Sequence, residues 1–189
     1  MNTAFSHLVA IGASAGGLNA LAAFLGALPD DFATPVVIAL HSSETRALPS
    51  LLSERTSMEV KVATDKTPVA CGCVYICPGG ADTYFENGML RVTSDLQARF
   101  YKPSVDRLFE SLAMEYRERA IAIVMSGMLS DGTKGALRVH EYGATMLVQS
   151  PDEAKYESMP SSVIMNDHPQ EILPVTALAQ EVVRLIRAG

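Results

Sequence analysis

The 189-residue sequence has no tryptophan, six tyrosines, six phenylalanines and only three cysteines. It is also short of positive charge, with 15 Lys and Arg against 21 Asp and Glu and a formal net charge of -6. A nucleic-acid surface needs a basic face to neutralise phosphates, so DNA and RNA are poor partners for this chain. Three cysteines cannot all pair within one chain, which argues against a disulfide framework. The longest apolar runs, such as Ala20 to Leu25 and Ala120 to Met125, fall far short of the roughly 20 residues of a bilayer span. No basic stretch precedes an apolar one at the N-terminus. The expectation is a protein of a reducing, cytoplasmic compartment, with no membrane insertion.

Hydrophobic residues make up 48% of the chain, enough for a sizeable core, and no repeat, low-complexity tract or linker divides it. One domain over residues 1–189 is expected. Short apolar blocks alternate with segments of helical period. His7 to Ile11 is a β-rich run ending at Gly12, and Leu18, Leu21, Ala22, Leu25 and Leu28 then recur at spacings of three and four up to Pro29. Val36 to Leu40 has the continuous apolar pattern of a strand covered on both faces, followed by a helical stretch from Ala47 to Arg55. Further strands are predicted at Met58–Ala63, Val74–Cys77, Ala120–Met125 and Thr145–Val148. Helices are predicted from Pro103, over Gly132–Glu141 and over Val175–Arg187. Pro103 is placed in a first helical turn, where a missing N–H is tolerated. Asn87-Gly88 between two short segments predicts a tight antiparallel hairpin. Such alternation implies an α/β fold, a doubly wound three-layer αβα sandwich with a mostly parallel sheet and this hairpin as an excursion.

The turn between the first strand and first helix reads Gly12-Ala13-Ser14-Ala15-Gly16-Gly17. It fits G-x-S-x-G, in which a sharp turn presents a serine hydroxyl at the end of the sheet. Free N–H groups of the following helix favour negative charge developing there. A nucleotide-binding turn or a glycine-rich turn without chemistry fits the same location. The dinucleotide fingerprint G-x-G-x-x-G fails, because Ser14 stands where the second glycine belongs. The short-chain dehydrogenase pattern fails too, since no tyrosine has a lysine four residues later. An activated serine needs a base, and of four histidines only His41 follows a buried strand directly, on the same C-terminal sheet edge as Ser14. Asp131 follows the strand Ala120–Met125 on that edge and can orient an imidazole, although it also suits an N-cap of the next helix.

The order Ser14, His41, Asp131 differs from the Ser–Asp–His order of α/β-hydrolases. With Val74-Tyr75-Ile76-Cys77-Pro78-Gly79-Gly80, Pro103-Ser104-Val105-Asp106-Arg107-Leu108-Phe109, Ser126-Gly127 ahead of Asp131-Gly132, and Met159-Pro160, it resembles the catalytic domain of bacterial chemotaxis protein-glutamate methylesterases of the CheB type. The resemblance runs from about Leu8 to Ile186. It implies hydrolysis of glutamate γ-methyl esters on cytoplasmic helices of chemoreceptors and, in some members, deamidation of receptor glutamines. Ser14 would be the nucleophile, His41 the base and Asp131 its orienting carboxylate. The backbone amides of Met128 and Ala15 would serve as oxyanion donors, with no metal or organic cofactor. Four positions depart from the family pattern: Ala15, Leu40, Ser42 and Leu129, the last standing where glycine is usual.

Two rival readings are a catalytically impaired module of the same fold that binds a partner helix, and a small-molecule acyl esterase using the same three residues. Cys71, Cys73 and Cys77 lack zinc-like pairing and read as core or turn residues. Most of the nine methionines read as core, and Arg99, Lys102 and Arg107 receive no role. Because the first strand begins near Leu8, no receiver domain is expected ahead of it, and the chain is expected to be either an unregulated stand-alone esterase or a domain excised from a longer protein, with control supplied by an external receiver or a fused regulatory domain.

Overall fold

Val9, Ile11 and Ala13 of the first strand join one hydrophobic core, whereas Leu8 and Ala10 join another. A strand points successive side chains to opposite faces, so a run buried at every position must have cover on both sides. The structure, a computed structural model, describes residues 5–41, 47–94 and 102–188. In chain order its elements are β1 (Leu8–Ala13), α1 (Gly17–Gly26), β2 (Val36–Leu40), α2 (Leu48–Ser53), β3 (Glu59–Val62), β4 (Thr67–Pro68), β5 (Cys73–Ile76), β6 (Asp82–Glu86) and β7 (Met89–Thr93). There follow α3 (Val105–Tyr116), a 3₁₀ turn (Arg117–Arg119), β8 (Ala120–Val124), α4 (Thr133–Glu141), β9 (Thr145–Gln149), α5 (Ser158–Asn166), β10 (Glu171–Leu173) and α6 (Val175–Ala188).

A seven-stranded sheet runs in the order β10-β9-β8-β1-β2-β5-β3, and each of its neighbouring pairs is parallel. From β1 the chain builds one side through β2 and the edge strand β3, inserts β5 between them, and then returns to β8 on the other side of β1, the doubly wound arrangement expected. Ile11 lies opposite Ile38 and Ile123, so β1, β2 and β8 end together. Leu21, Phe24 and Leu25 of α1 pack with Leu52 of α2 and Leu178 and Val182 of α6 on one face. Leu108 and Phe109 of α3, Ala136 and Val139 of α4 and Met159 and Val163 of α5 cover the other. β4, β7 and β6 form a separate antiparallel sheet, and the β6–β7 turn uses Asn87 at φ 54° and Gly88 at φ 75°, the positive angles of a tight hairpin.

Pro103 differs from its expected place. α3 begins at Val105, and Ser104 is its extended N-cap, whose hydroxyl accepts from Arg107 N at 3.3 Å. Pro103 thus lies outside the helix, where its carbonyl is available to a side chain from another strand. α5, over Ser158–Asn166, is a helix not predicted above, and it includes Pro160. Pro160 occupies the third position of the helix, where its missing N–H has no intrahelical partner to lose.

Candidate functional site

Ser14 follows β1 directly, and its backbone is held at both ends. Ser14 N donates to Ser126 O at 3.0 Å, and Gly17 N donates back to Ser14 O at 2.9 Å. Gly16, at φ 73°, completes the turn into α1 in the left-handed region that side chains disfavour. The buried Ser126 hydroxyl donates to Ala15 O at 2.9 Å and accepts from Tyr156 N at 3.1 Å, while Ser126 N donates to Gln149 Oε1 at 2.8 Å. The serine turn is therefore tied to β8, to the end of β9 and to the segment entering α5. Ser126 was legible only as part of a motif, because its partners are 111 and 30 residues away.

His41 follows β2, and its amide continues the ladder by donating to Ala13 O at 3.0 Å. Its Nε2 lies 2.9 Å from Asp131 Oδ2 and 3.0 Å from Pro103 O. A carboxylate and a carbonyl both accept, so the proton belongs on Nε2 and the ring's basic lone pair on Nδ1. Asp131, only 4% exposed, also accepts from Val105 N at 2.8 Å and Asp106 N at 3.0 Å. It is not the cap of α4 that its position also suited: Gly132 is that N-cap, and the Asp131 carboxylate caps α3 instead. Asp82 accepts from Ser104 N at 3.2 Å and from Arg107 Nη1 at 3.3 Å, and Arg107 stacks 4.1 Å from the Tyr84 ring centre. These contacts hold the Pro103–Ser104 segment against the histidine.

Ser14, Ala15, Gly16 and His41 line one cavity of about 250 Å³, together with Leu18, Leu40, Ala47, Leu48 and Leu51. Among the described residues the Ser14 hydroxyl makes no hydrogen bond to the imidazole, although both residues line the same cavity. Contacts of this kind commonly tighten only when substrate is bound.

The Ala15 and Met128 amides are oriented through their neighbours. A trans peptide points its N–H opposite the preceding C=O. Gly17 N on Ser14 O therefore fixes the direction of Ala15 N–H, and Met159 N on Gly127 O, at 3.0 Å, does the same for Met128 N–H. Gly127 N is also engaged, by Tyr156 O at 3.0 Å. A Cβ on Gly127 would overlap Met159 Sδ and lie 3.0 Å from Ser14 Cβ. Gly127→Ala is accordingly expected to reduce ester turnover about 100-fold, the scale of a misplacement near 1 Å. Steady-state kinetics should show this, and adding Met159→Ala should restore much of the turnover, because the severe overlap is with the Met159 sulfur and the contact to Ser14 Cβ at 3.0 Å asks for only a small shift.

Leu129 has φ 69° and is 58% exposed. A left-handed non-glycine residue costs about 1–2 kcal/mol, and glycine's extra freedom in the unfolded chain offsets roughly 0.5–1 of it. Leu129→Gly should therefore raise stability by up to about 1.5 kcal/mol, seen as a Tm rise of up to about 6 °C in thermal melts. An unchanged or lower Tm contradicts this strain.

Of the cysteines, Cys71 is exposed and Cys73 and Cys77 are buried, and burial pushes the Cys77 thiol up to about 12. Among the described residues no group of three or more His, Cys, Asp or Glu can hold a metal ion, and no helix is long and apolar enough to cross a membrane. Ser42 and Arg99 lie outside the described residues.

A doubly wound α/β fold that brings a hydroxyl, an imidazole and a carboxylate to one strand edge defines the class of protein. Within that class, residues 9–182 match the CheB methylesterase family model, and the chain belongs to that family. It is 36% identical over 180 residues to a protein-glutamate methylesterase/protein-glutamine glutaminase of Saccharophagus degradans, covering 93% of this chain and 49% of that protein. A protein of the same name from Thermotoga maritima is 31% identical over 185 residues, covering 95% and 54%. The chain thus spans about half the length of these curated relatives. The crystal structure of the Thermotoga maritima CheB methylesterase catalytic domain superposes with a TM-score of 0.88 at 30% identity, covering 96% of this chain and 99% of that one.

Proposed function

We propose that this chain is a serine hydrolase that removes methyl esters from glutamate side chains of chemoreceptors and deamidates receptor glutamines, acting on their cytoplasmic helices. The observation that carries the reading is the 2.9 Å His41–Asp131 bond beside the cavity that Ser14 and His41 share. His41 Nδ1 takes the Ser14 proton as Oγ attacks the ester carbonyl. The Ala15 and Met128 amides stabilise the oxyanion, a contribution of roughly 3–4 kcal/mol for one such donor. Collapse of the tetrahedral intermediate expels methanol, which receives the proton from the imidazolium. Water then attacks the acyl-enzyme through the same acid–base cycle and releases glutamate. For glutamine the leaving group is ammonia.

Both relatives bear the double name of methylesterase and glutaminase, which supports both substrates. No step calls on a metal or an organic cofactor. A receiver, external or fused, is the proposed source of control, and the cytoplasm the proposed compartment. The test is methanol release from a receptor fragment carrying glutamate γ-methyl esters, with wild type and Ser14→Ala side by side. Release that depends on Ser14 is expected. No release by the wild type refutes the methylesterase reading and favours a partner-binding module, whereas turnover of simple acyl esters alone favours a small-molecule esterase.

A further inference from the structure

Asp106 lies on the first turn of α3 and carries no role in the steps above. It nevertheless grips Asp131 from two sides. Its amide donates to Asp131 Oδ1 at 3.0 Å, and its own Oδ1 accepts from Gly132 N at 2.9 Å and from Gly135 N at 2.8 Å. Gly132 N–H belongs to the peptide unit that begins with the Asp131 carbonyl, so holding it fixes the backbone plane leaving Asp131. One bond sets the Asp131 carboxylate and the other sets the main chain that bears it.

The two acids thus exchange caps: Asp131 satisfies the first amides of α3, Val105 and Asp106, while Asp106 satisfies the amides of Gly132 and Gly135 at the start of α4. α4 has no side-chain cap from its own N-cap residue, Gly132. Both bonds act on the residue whose Oδ2 lies 2.9 Å from His41 Nε2.

We infer that Asp106 is a positioning residue for the His41–Asp131 pair, acting as an acceptor that locks the loop carrying Asp131. The inference rests on the hydrolase reading of that pair. What it requires is an oxygen acceptor at this place, not a charge. Burial, with a smaller effect from the Asp131 carboxylate, pushes the Asp106 carboxyl above its ordinary range. A neutral carboxamide is therefore well suited to the site.

The test uses the 189-residue chain, a receptor-derived peptide with a glutamate γ-methyl ester, and the variants Asp106→Asn and Asp106→Ala beside Ser14→Ala. Asp106→Asn is expected to keep kcat within about threefold of wild type. Asp106→Ala should lower kcat about 10- to 100-fold with KM within about twofold, since the loss falls on orientation and not on substrate contact. The proton resonance of His41 Nε2–H should shift in Asp106→Ala and stay in place in Asp106→Asn. A folded Asp106→Ala with wild-type kcat and an unmoved resonance makes Asp106 a helix cap only and overturns the inference. If Asp106→Ala does not fold, Asp106→Asn decides: a kcat loss of tenfold or more, or a displaced His41 resonance, overturns it equally. A wild type that releases no methanol instead defeats the hydrolase reading, while the resonance still reports whether Asp106 positions the pair.

Discussion

Ser14→Ala is expected to lower methanol release about 10⁶-fold, the scale reached when the nucleophile of a serine–histidine–aspartate unit is removed. Alanine leaves the backbone of the turn intact, because Ser14 N and Ser14 O make the bonds to Ser126 and Gly17. Ser14 is only partly buried and its hydroxyl makes no hydrogen bond among the described residues, so folding should be unaffected. The circular dichroism spectrum should therefore match wild type and the unfolding free energy should agree within about 0.5 kcal/mol, while turnover falls to the assay background. Turnover that persists at one-tenth of wild type or more would remove Ser14 from the reaction. Because the fold is preserved, the same variant should still bind a methylated receptor fragment, which separates loss of chemistry from loss of docking.

Asp131→Ala should lose both activity and stability, for separate reasons. Removing the carboxylate takes from His41 Nε2 the acceptor 2.9 Å away, leaves the Pro103 O contact in place, and takes away the anion that balances the imidazolium during turnover. A loss of about 10⁴-fold in kcat is expected on the scale of the orienting aspartate in comparable triads. The change also strips the amides of Val105 and Asp106 of their shared acceptor at a buried helix start. An unsatisfied buried donor costs about 1–3 kcal/mol, so chemical denaturation should show a clear fall in stability. The two effects can be read apart by assaying in conditions where the variant is fully folded. If kcat is then within tenfold of wild type, Asp131 serves chiefly as a cap of α3, and the catalytic assignment falls with it.

Much of the fold was legible because each central strand is an unbroken apolar run. Val36–Leu40 and Ala120–Val124 are buried at every residue, as their composition predicts for strands covered on both faces. The elements that escaped have no such signal. β4 is two residues long, β10 is a three-residue edge strand with two exposed positions, and α5 has a proline in its first turn. Ser14, His41 and Asp131 could be placed at one edge because the first two directly follow β1 and β2, Asp131 lies in the loop after β8, and parallel strands put their carboxyl ends together. Pro103 misled for a local reason: proline suits a first turn, but a serine that can cap sits immediately after it and starts the helix two residues later.

What the order of residues determines by itself is the winding and the edge. Apolar runs at strand length, helical stripes between them and the Gly12 to Gly17 turn dictate a doubly wound sheet with a serine at its carboxyl end, because backbone periodicity and glycine's angles are local properties. What only the tertiary structure decided is how the polar groups at that edge hold one another. Asp131 could have capped α4 from sequence alone; across the interface between α3 and α4 it caps α3 and meets His41, while Asp106 takes over α4. The partners of each carboxylate are separated by 25 or more residues in the chain. Such bonds depend on how two helices pack over the sheet, and no local pattern of residues encodes them.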